Sequence, residues 1–131
     1  MRTKNCLSLD DATRVIAAAK TEAAKNKWAV TIAVVDDSGI LLALERLDTA
    51  TAQSPDIAIL KARAAALGRM PSKALEEMVK DRPALGTFPN RAPVQGGLPI
   101  FYQGECVGGV GVSGVKSSED EQVAAAGIAA L

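Results

Sequence analysis

No histidine occurs among the 131 residues, and this absence excludes more chemistry than any motif suggests. Ser-His-Asp and Cys-His nucleophilic systems, HExxH zinc helices and the two-His facial triad all need an imidazole. A metal would have to rely on carboxylates, and no run of the DxDxDG kind supplies them. Aromatic residues are scarce too: Trp28, Phe88, Phe101 and Tyr102 are the only four. With 48% of the chain apolar, the core must come from Ala, Val, Leu and Ile, which predicts closely packed helices.

An excess of either charge is absent as well. Lys plus Arg equals Asp plus Glu at 15 each, and no block of like charge is long enough for a nucleic-acid or membrane footprint. The start, MRTKNCLSLDD, has no apolar stretch behind its basic residues, and nowhere do about 18 apolar residues run together. A cytoplasmic protein with neither nucleic-acid nor membrane partners is expected. Cys6 and Cys106 are read as free thiols, because a single disulfide is unusual in such a chain, and Cys106 as a small core hydrophobe. The length suits one domain, residues 1–131.

What is present reads as four helices and two hairpins. Ser8-Leu9-Asp10-Asp11 has the form of a capping box, and Val15, Ile16, Ala19 and Ala23 recur at helical spacing, which predicts a helix over about 10–26. Residues 28–35, WAVTIAVV, are β-branched and apolar; Asp36-Asp37-Ser38-Gly39 then turns the chain into a second strand over 40–46. Ser54-Pro55 reads as an N-cap with proline at the first helical position, opening a helix to about Leu67. A break at Met70-Pro71 precedes a short helix from Ser72 that Pro83 must end. From Arg82 to Gly97, three prolines and three glycines without a period predict a long loop, and loops of that length tend to be functional. A hairpin of strands 98–102 and 106–113 follows, and Ser118-Glu119-Asp120-Glu121 reads as a second capping box, opening a helix that runs to Leu131. The order αββααββα gives an α+β fold.

Gly109 to Gly114 spell GxGxxG, the spacing of a dinucleotide-binding turn. That motif needs a helix opening on its last glycine and an acidic residue about 20 positions on. The next capping signal lies four residues beyond Gly114 and the chain has only 17 residues left, so the match is fortuitous. By strand alternation Gly109 and Gly111 share one face and Gly108, Val110 and Val112 the other. A face without side chains admits a helix, a ligand or another subunit to the backbone.

The strand-turn-strand VTIAVVDDSGILLALERLD, the helix SPDIAILKARAAAL, the helix-restarting Pro-Ser, GGLPI and GGVGVSGVKSSEDEQVAAAG follow one another along the chain. Together, from about Leu9 to Leu131, they resemble the GlcG/HbpS family, also found as the C-terminal domain of PduO-type proteins. The resemblance implies a profilin/PAS-like domain, an antiparallel sheet covered by helices, that forms homo-oligomers. Some relatives bind haem, so the resemblance makes haem a possible cofactor; others accompany small-acid catabolism.

Haem iron takes an axial donor from His, Cys, Met or Tyr. His is missing, Cys106 and Met70 are expected inside, Tyr102 sits near a hairpin turn, and Thr49 or Thr87 would be weak oxygen donors. Among polar residues, Lys61 falls on the shoulder of the stripe Ile57, Leu60, Ala64 and Leu67, where its amine either snorkels or is desolvated into a base or imine former. Arg46 and Asp48 close the second strand and match the family's motif; Arg46 is either a carboxylate clamp or half of a surface pair. Gly96 and Gly97 can expose N–H groups to an anion, or simply turn the chain into the sheet. Asn90 and Arg91 lie in the long loop, and Glu119, Asp120 and Glu121 are accounted for as caps. The expected function is binding of an anionic organic acid or a tetrapyrrole such as haem between the sheet and the second helix, near a subunit contact, through Arg46, Asp48, Lys61, Gly96 and Gly97. The rival is a cofactor-independent isomerase or lyase of small oxo or hydroxy acids, with Lys61 as base or imine former and Arg46 as anchor.

Overall fold

Two hairpins make the sheet of the computed structural model, which describes all residues 1–131. Strands β1 (Thr31–Asp36) and β2 (Leu41–Arg46) pair antiparallel across a turn in which the Asp36 carboxylate accepts the Ser38 and Ile40 N–H groups and Gly39 takes φ +78°. Strands β3 (Gly97–Tyr102) and β4 (Glu105–Ser113) turn through Gln103 and Gly104, both at positive φ, as a tight hairpin requires. β1 pairs with β4, so the order is β2-β1-β4-β3, antiparallel throughout.

Helices cover both faces. α1 (Leu9–Lys25) and α4 (Ser117–Ile128) lie on one face; α2 (Ser54–Gly68) lies on the other, followed by α3 (Ser72–Asp81) and a 3-10 turn at Pro83–Thr87. The αββααββα order and the mixed α+β class are as expected. The main core lies between the sheet and α1/α4, where Val15, Ile16, Ile32, Val34, Val110, Val112 and Val123 are buried together. On the α2 face the partners are small: Val35 packs with Ala62 and Ala66.

Several local expectations shift. Ser8 caps α1, accepting from Asp11 N–H while the Asp11 carboxylate takes Ser8 N–H. Ser54 is no cap; it lies inside α2, its hydroxyl paired with Thr31 Oγ1 at 2.8 Å and donating to Thr51 O. The N-cap of α4 is Lys116, two residues before the expected Ser118, its N–H held by Glu119, and the helix ends at Ile128 rather than Leu131. Cys106 is only partly buried, its thiol directed at Ala66 O and Gly108 O, and both cysteines are free. No helix is long and apolar enough to cross a membrane.

The glycines of β4 are explained by α2. A Cβ on Gly109 would lie 2.6 Å from Ala62 O, and one on Gly111 would sit inside contact of Ala58 O and 2.5 Å from Ala62 N. The two faces alternate as predicted, since Gly108 faces Leu7 on the opposite side. The glycine run is a seat for a helix backbone. The space between sheet and α2, expected to receive a ligand, is filled.

Candidate functional site

Lys61 is not on the shoulder of α2's buried stripe but inside it. The helix buries Ala58, Lys61, Ala62, Ala64, Ala65 and Ala66, leaving Ile57, Leu60 and Leu67 half-buried, because only the small residues fit against the bare strand. The Lys61 side chain is 3% exposed; its ammonium donates to Asp120 Oδ2 at 3.0 Å and to Val112 O at 3.1 Å. Asp120, 2% exposed, also accepts Val115 N–H at 3.1 Å through its other oxygen. Burial pushes the Asp120 carboxyl above the usual carboxylate range, against the pull of the Lys61 ammonium. The pair ties α2, β4 and the first turn of α4 together. Asp120, expected as a helix-terminal cap, is instead the counter-ion.

Gly96 and Gly97 join this cluster. A Cβ on Gly96 would lie 2.8 Å from Lys61 Nζ, and one on Gly97 would strike Lys61 O. The Gly97 N–H is taken by Ser72 Oγ at 2.8 Å and Gly96 O accepts from Val112 N–H. Of the expected site residues, three of five therefore meet in space, as a closed and internally satisfied knot. Lys61 lines neither the cavity between α1 and the β3–β4 hairpin nor the smaller one beside Arg69 and Glu105.

Arg46 and Asp48 lie elsewhere. Arg46 pairs with Thr31 on the β2 edge, whereas Gly97 pairs with Gly111 on the β3 edge, about three strand spacings or ~14 Å away. The Arg46 fork is spent on its own loop: Nε and Nη2 both donate to Ala50 O, at 3.1 and 2.9 Å. Asp48 is exposed and makes no ion pair.

A cavity of about 490 Å³ opens on the other face of the sheet, at the end of the main core. Leu7, Ile100, Phe101, Val107 and Ile128 make its apolar walls, and Asn5, Cys6, Asp11, Arg14 and Tyr102 supply its polar atoms. The second turn of α1 presents Arg14, paired with Asp11 of the first turn, whose carboxyl is held below the usual range by Ser8 N–H, Ser8 hydroxyl and Arg14. The chain before α1 closes one side: Lys4 pairs with Asp37 at 2.8 Å and Asn5 Nδ2 donates to Glu105 at 3.1 Å, so Leu7 is pinned over Gly108. Phe101 and Tyr102 stay 54% and 53% exposed at its mouth, an unusual state for half of the chain's aromatics. Sequence reasoning missed Cys6, Leu7 and Arg14 as cavity residues. The available signal was Leu7, an apolar residue preceding the Ser8 cap, which in such positions packs back on the fold.

Two kinds of comparison bear on this arrangement. Residues 7–129 match the family model described as "Haem degrading protein HbpS-like". The chain is 47% identical over 114 residues to Protein GlcG of Escherichia coli K12, covering 86% of this chain and 85% of that one. Among solved structures, a double mutant of Streptomyces reticuli HbpS superposes with a TM-score of 0.96 at 36% identity, covering 100% of this chain and 90% of that one. PduOC, crystallised in complex with haem, superposes with a TM-score of 0.87 at 25% identity, covering 97% and 96%. The chain belongs to the HbpS-like family, of which GlcG is a relative.

Proposed function

We propose that this protein binds an amphipathic anionic small molecule, haem or a comparably flat organic acid, in the 490 Å³ cavity between α1, the end of α4 and the β3–β4 hairpin. The observation that carries the reading is the cavity's make-up: an apolar slot of ligand size, with one guanidinium at its rim and exposed aromatic rings at its mouth. The apolar body lies against Leu7, Ile100, Phe101 and Ile128, and a carboxylate faces Arg14.

The donor set fits haem despite the missing histidine. Cys6 and Tyr102 line the cavity, and thiolate and phenolate are both axial donors that haem iron accepts. Bound haem would supply redox and oxygen chemistry; the chain's own residues would bind it, orient its propionates toward Arg14 and shield one face with Leu7. That PduOC was crystallised with haem supports this choice of ligand for the family. Assembly into homo-oligomers belongs to the same proposal, supported by Ile40 and Leu41, 59% and 43% exposed where the unpaired β2 edge begins.

The test is a hemin titration followed in the Soret region, with Cys6→Ser, Tyr102→Phe and Arg14→Ala beside the parent protein. Saturable binding is expected, with a changed Soret band in one donor variant and weaker binding in Arg14→Ala. A band that stays that of free hemin at all protein concentrations would overturn the haem reading. A thermal-shift series of aromatic carboxylates then tests the organic-acid form.

A further inference from the structure

A smaller cavity of about 170 Å³ shares two walls, Asn5 and Phe101, with the α1 cavity. Small-molecule pockets ordinarily begin at about 300 Å³, so this space has room for one end of a ligand and not for a whole one. Four of the charged side chains around it are committed, Lys4 to Asp37 at 2.8 Å and Arg2 to Glu105 at 4.0 Å. Arg69 is the fifth, and it belongs to none of the six ion pairs. Its backbone lies at φ +55° at the C-cap of α2, the left-handed conformation in which helix ends favour glycine. The chain thus carries an exposed, unpaired arginine beside this cavity, at a position where glycine would be less strained.

We propose that the ligand is an elongated dicarboxylate, with its flat apolar body in the α1 cavity, one carboxylate at Arg14 and the other reaching past Phe101 to Arg69. This rests on the reading of the α1 cavity as the ligand site and takes its organic-acid form. Phe101, 54% exposed and common to both cavities, offers an aromatic face to a body that crosses from one to the other. Arg14 already shares its charge with Asp11, whereas Arg69 can give a whole fork to an incoming carboxylate. The charges around the smaller cavity agree: Arg2, Lys4 and Arg69 face Asp37 and Glu105, which leaves one positive charge for the second carboxylate.

The experiment is calorimetric titration of the wild-type protein with biphenyl-4,4'-dicarboxylate and with its monomethyl ester, which has the same body and one charge fewer. Both are expected to bind, the diacid about tenfold more tightly. Arg69→Gly suits the left-handed backbone, so it should keep the thermal midpoint while bringing the two ligands to equal affinity. Arg69→Asn, also at ease at positive φ, should do the same. Saturable binding of the monoester with a diacid that binds no more tightly would overturn the dicarboxylate and leave the organic-acid reading of the α1 cavity standing. A preference for the diacid that persists in both Arg69 variants would overturn it too, by showing that the second carboxylate is held elsewhere. Absence of binding by either ligand would overturn the dicarboxylate together with the organic-acid reading.

Discussion

The two faces of the sheet are built on opposite rules. Toward α1 and α4 the strands present Ile32, Val34, Val110 and Val112, and the helices answer with Val15, Ile16 and Val123, so contact is made by branched side chains at ordinary separation. Toward α2 the strand presents Gly109 and Gly111, the helix answers with Ala58, Ala62 and Ala66, and backbone meets backbone. The first face has slack and ends in an open cavity; the second has none, and its one large side chain, Lys61, is neutralised by Asp120. A fold can thus keep one face tight and hold the adaptable, ligand-sized space on the other.

The largest expected effect breaks the polar link of the tight face. Lys61→Met leaves the Asp120 carboxylate buried without its cation, at a cost of about 3–5 kcal/mol in unfolding free energy at neutral pH, read from urea denaturation. Burial already holds the Asp120 carboxyl above the usual range, with Lys61 opposing it. The folded state therefore binds this proton more tightly than the unfolded one. Its contribution is fullest below the unfolded-state value and is lost as pH rises through the folded-state value. Without Lys61 that loss must steepen, toward a limit of about 1.4 kcal/mol per pH unit, so acid should partly rescue Lys61→Met. Pairing it with Asp120→Leu should restore most of the stability at neutral pH, because an apolar pair of similar bulk needs no counter-charge. A Lys61→Met protein as stable as its parent would show that the pair does not hold the face together.

The next effect is steric. Gly111→Ala adds one methyl group against Ala58 O and Ala62 N, backbone atoms that cannot rotate away. Overpacking of this kind costs about 3 kcal/mol, and α2 must lift from the sheet. The same change at Gly104, where an added Cβ meets nothing within 4 Å, has only the strain of φ +80° to contend with. Denaturant midpoints of the two variants give the comparison directly, and equal losses would mean that contact with α2 at Gly111 costs no more than the φ strain at Gly104.

Local signals in the chain identified the elements well and long-range pairings poorly, for a physical reason. The Ser8 box, the Asp36-to-Gly39 turn and the Pro71 break each act within about four residues, so their neighbours in sequence suffice to read them. The alternation that put Gly109 and Gly111 on one face held because pleating is also local. What failed was the environment of charge. Lys61 was placed relative to Ile57, Leu60 and Leu67, the larger apolar residues, although a glycine-lined strand selects the alanine face instead. Asp120, between Glu119 and Glu121 at a helix start, has the sequence context of a cap. Yet it precedes Val123, Ala124 and Gly127 by three, four and seven residues, on the buried stripe of α4. Two opposite charges, each on the apolar stripe of its own helix, were the available hint of a buried pair. Arg46, by contrast, sits at a strand end where sequence cannot show that Ala50 O already occupies its fork.

The smallest effect probes the face with slack. Ile16→Val removes one methylene from a fully buried side chain among other branched residues, and should cost about 0.5–1.5 kcal/mol, well below either change on the α2 side. Phe101→Ala, at the rim where that face opens, should lie within about 0.5 kcal/mol of the parent, because the ring is more than half exposed. The two variants separate what the α1/α4 side does for folding from what it does for binding. Ile16→Val should leave hemin bound as before in the 490 Å³ cavity, whereas Phe101→Ala should weaken it without moving the denaturation midpoint. Equal ligand affinity in Phe101→Ala and the parent would mean that the slack of this face serves packing tolerance alone, and that the ligand is held elsewhere.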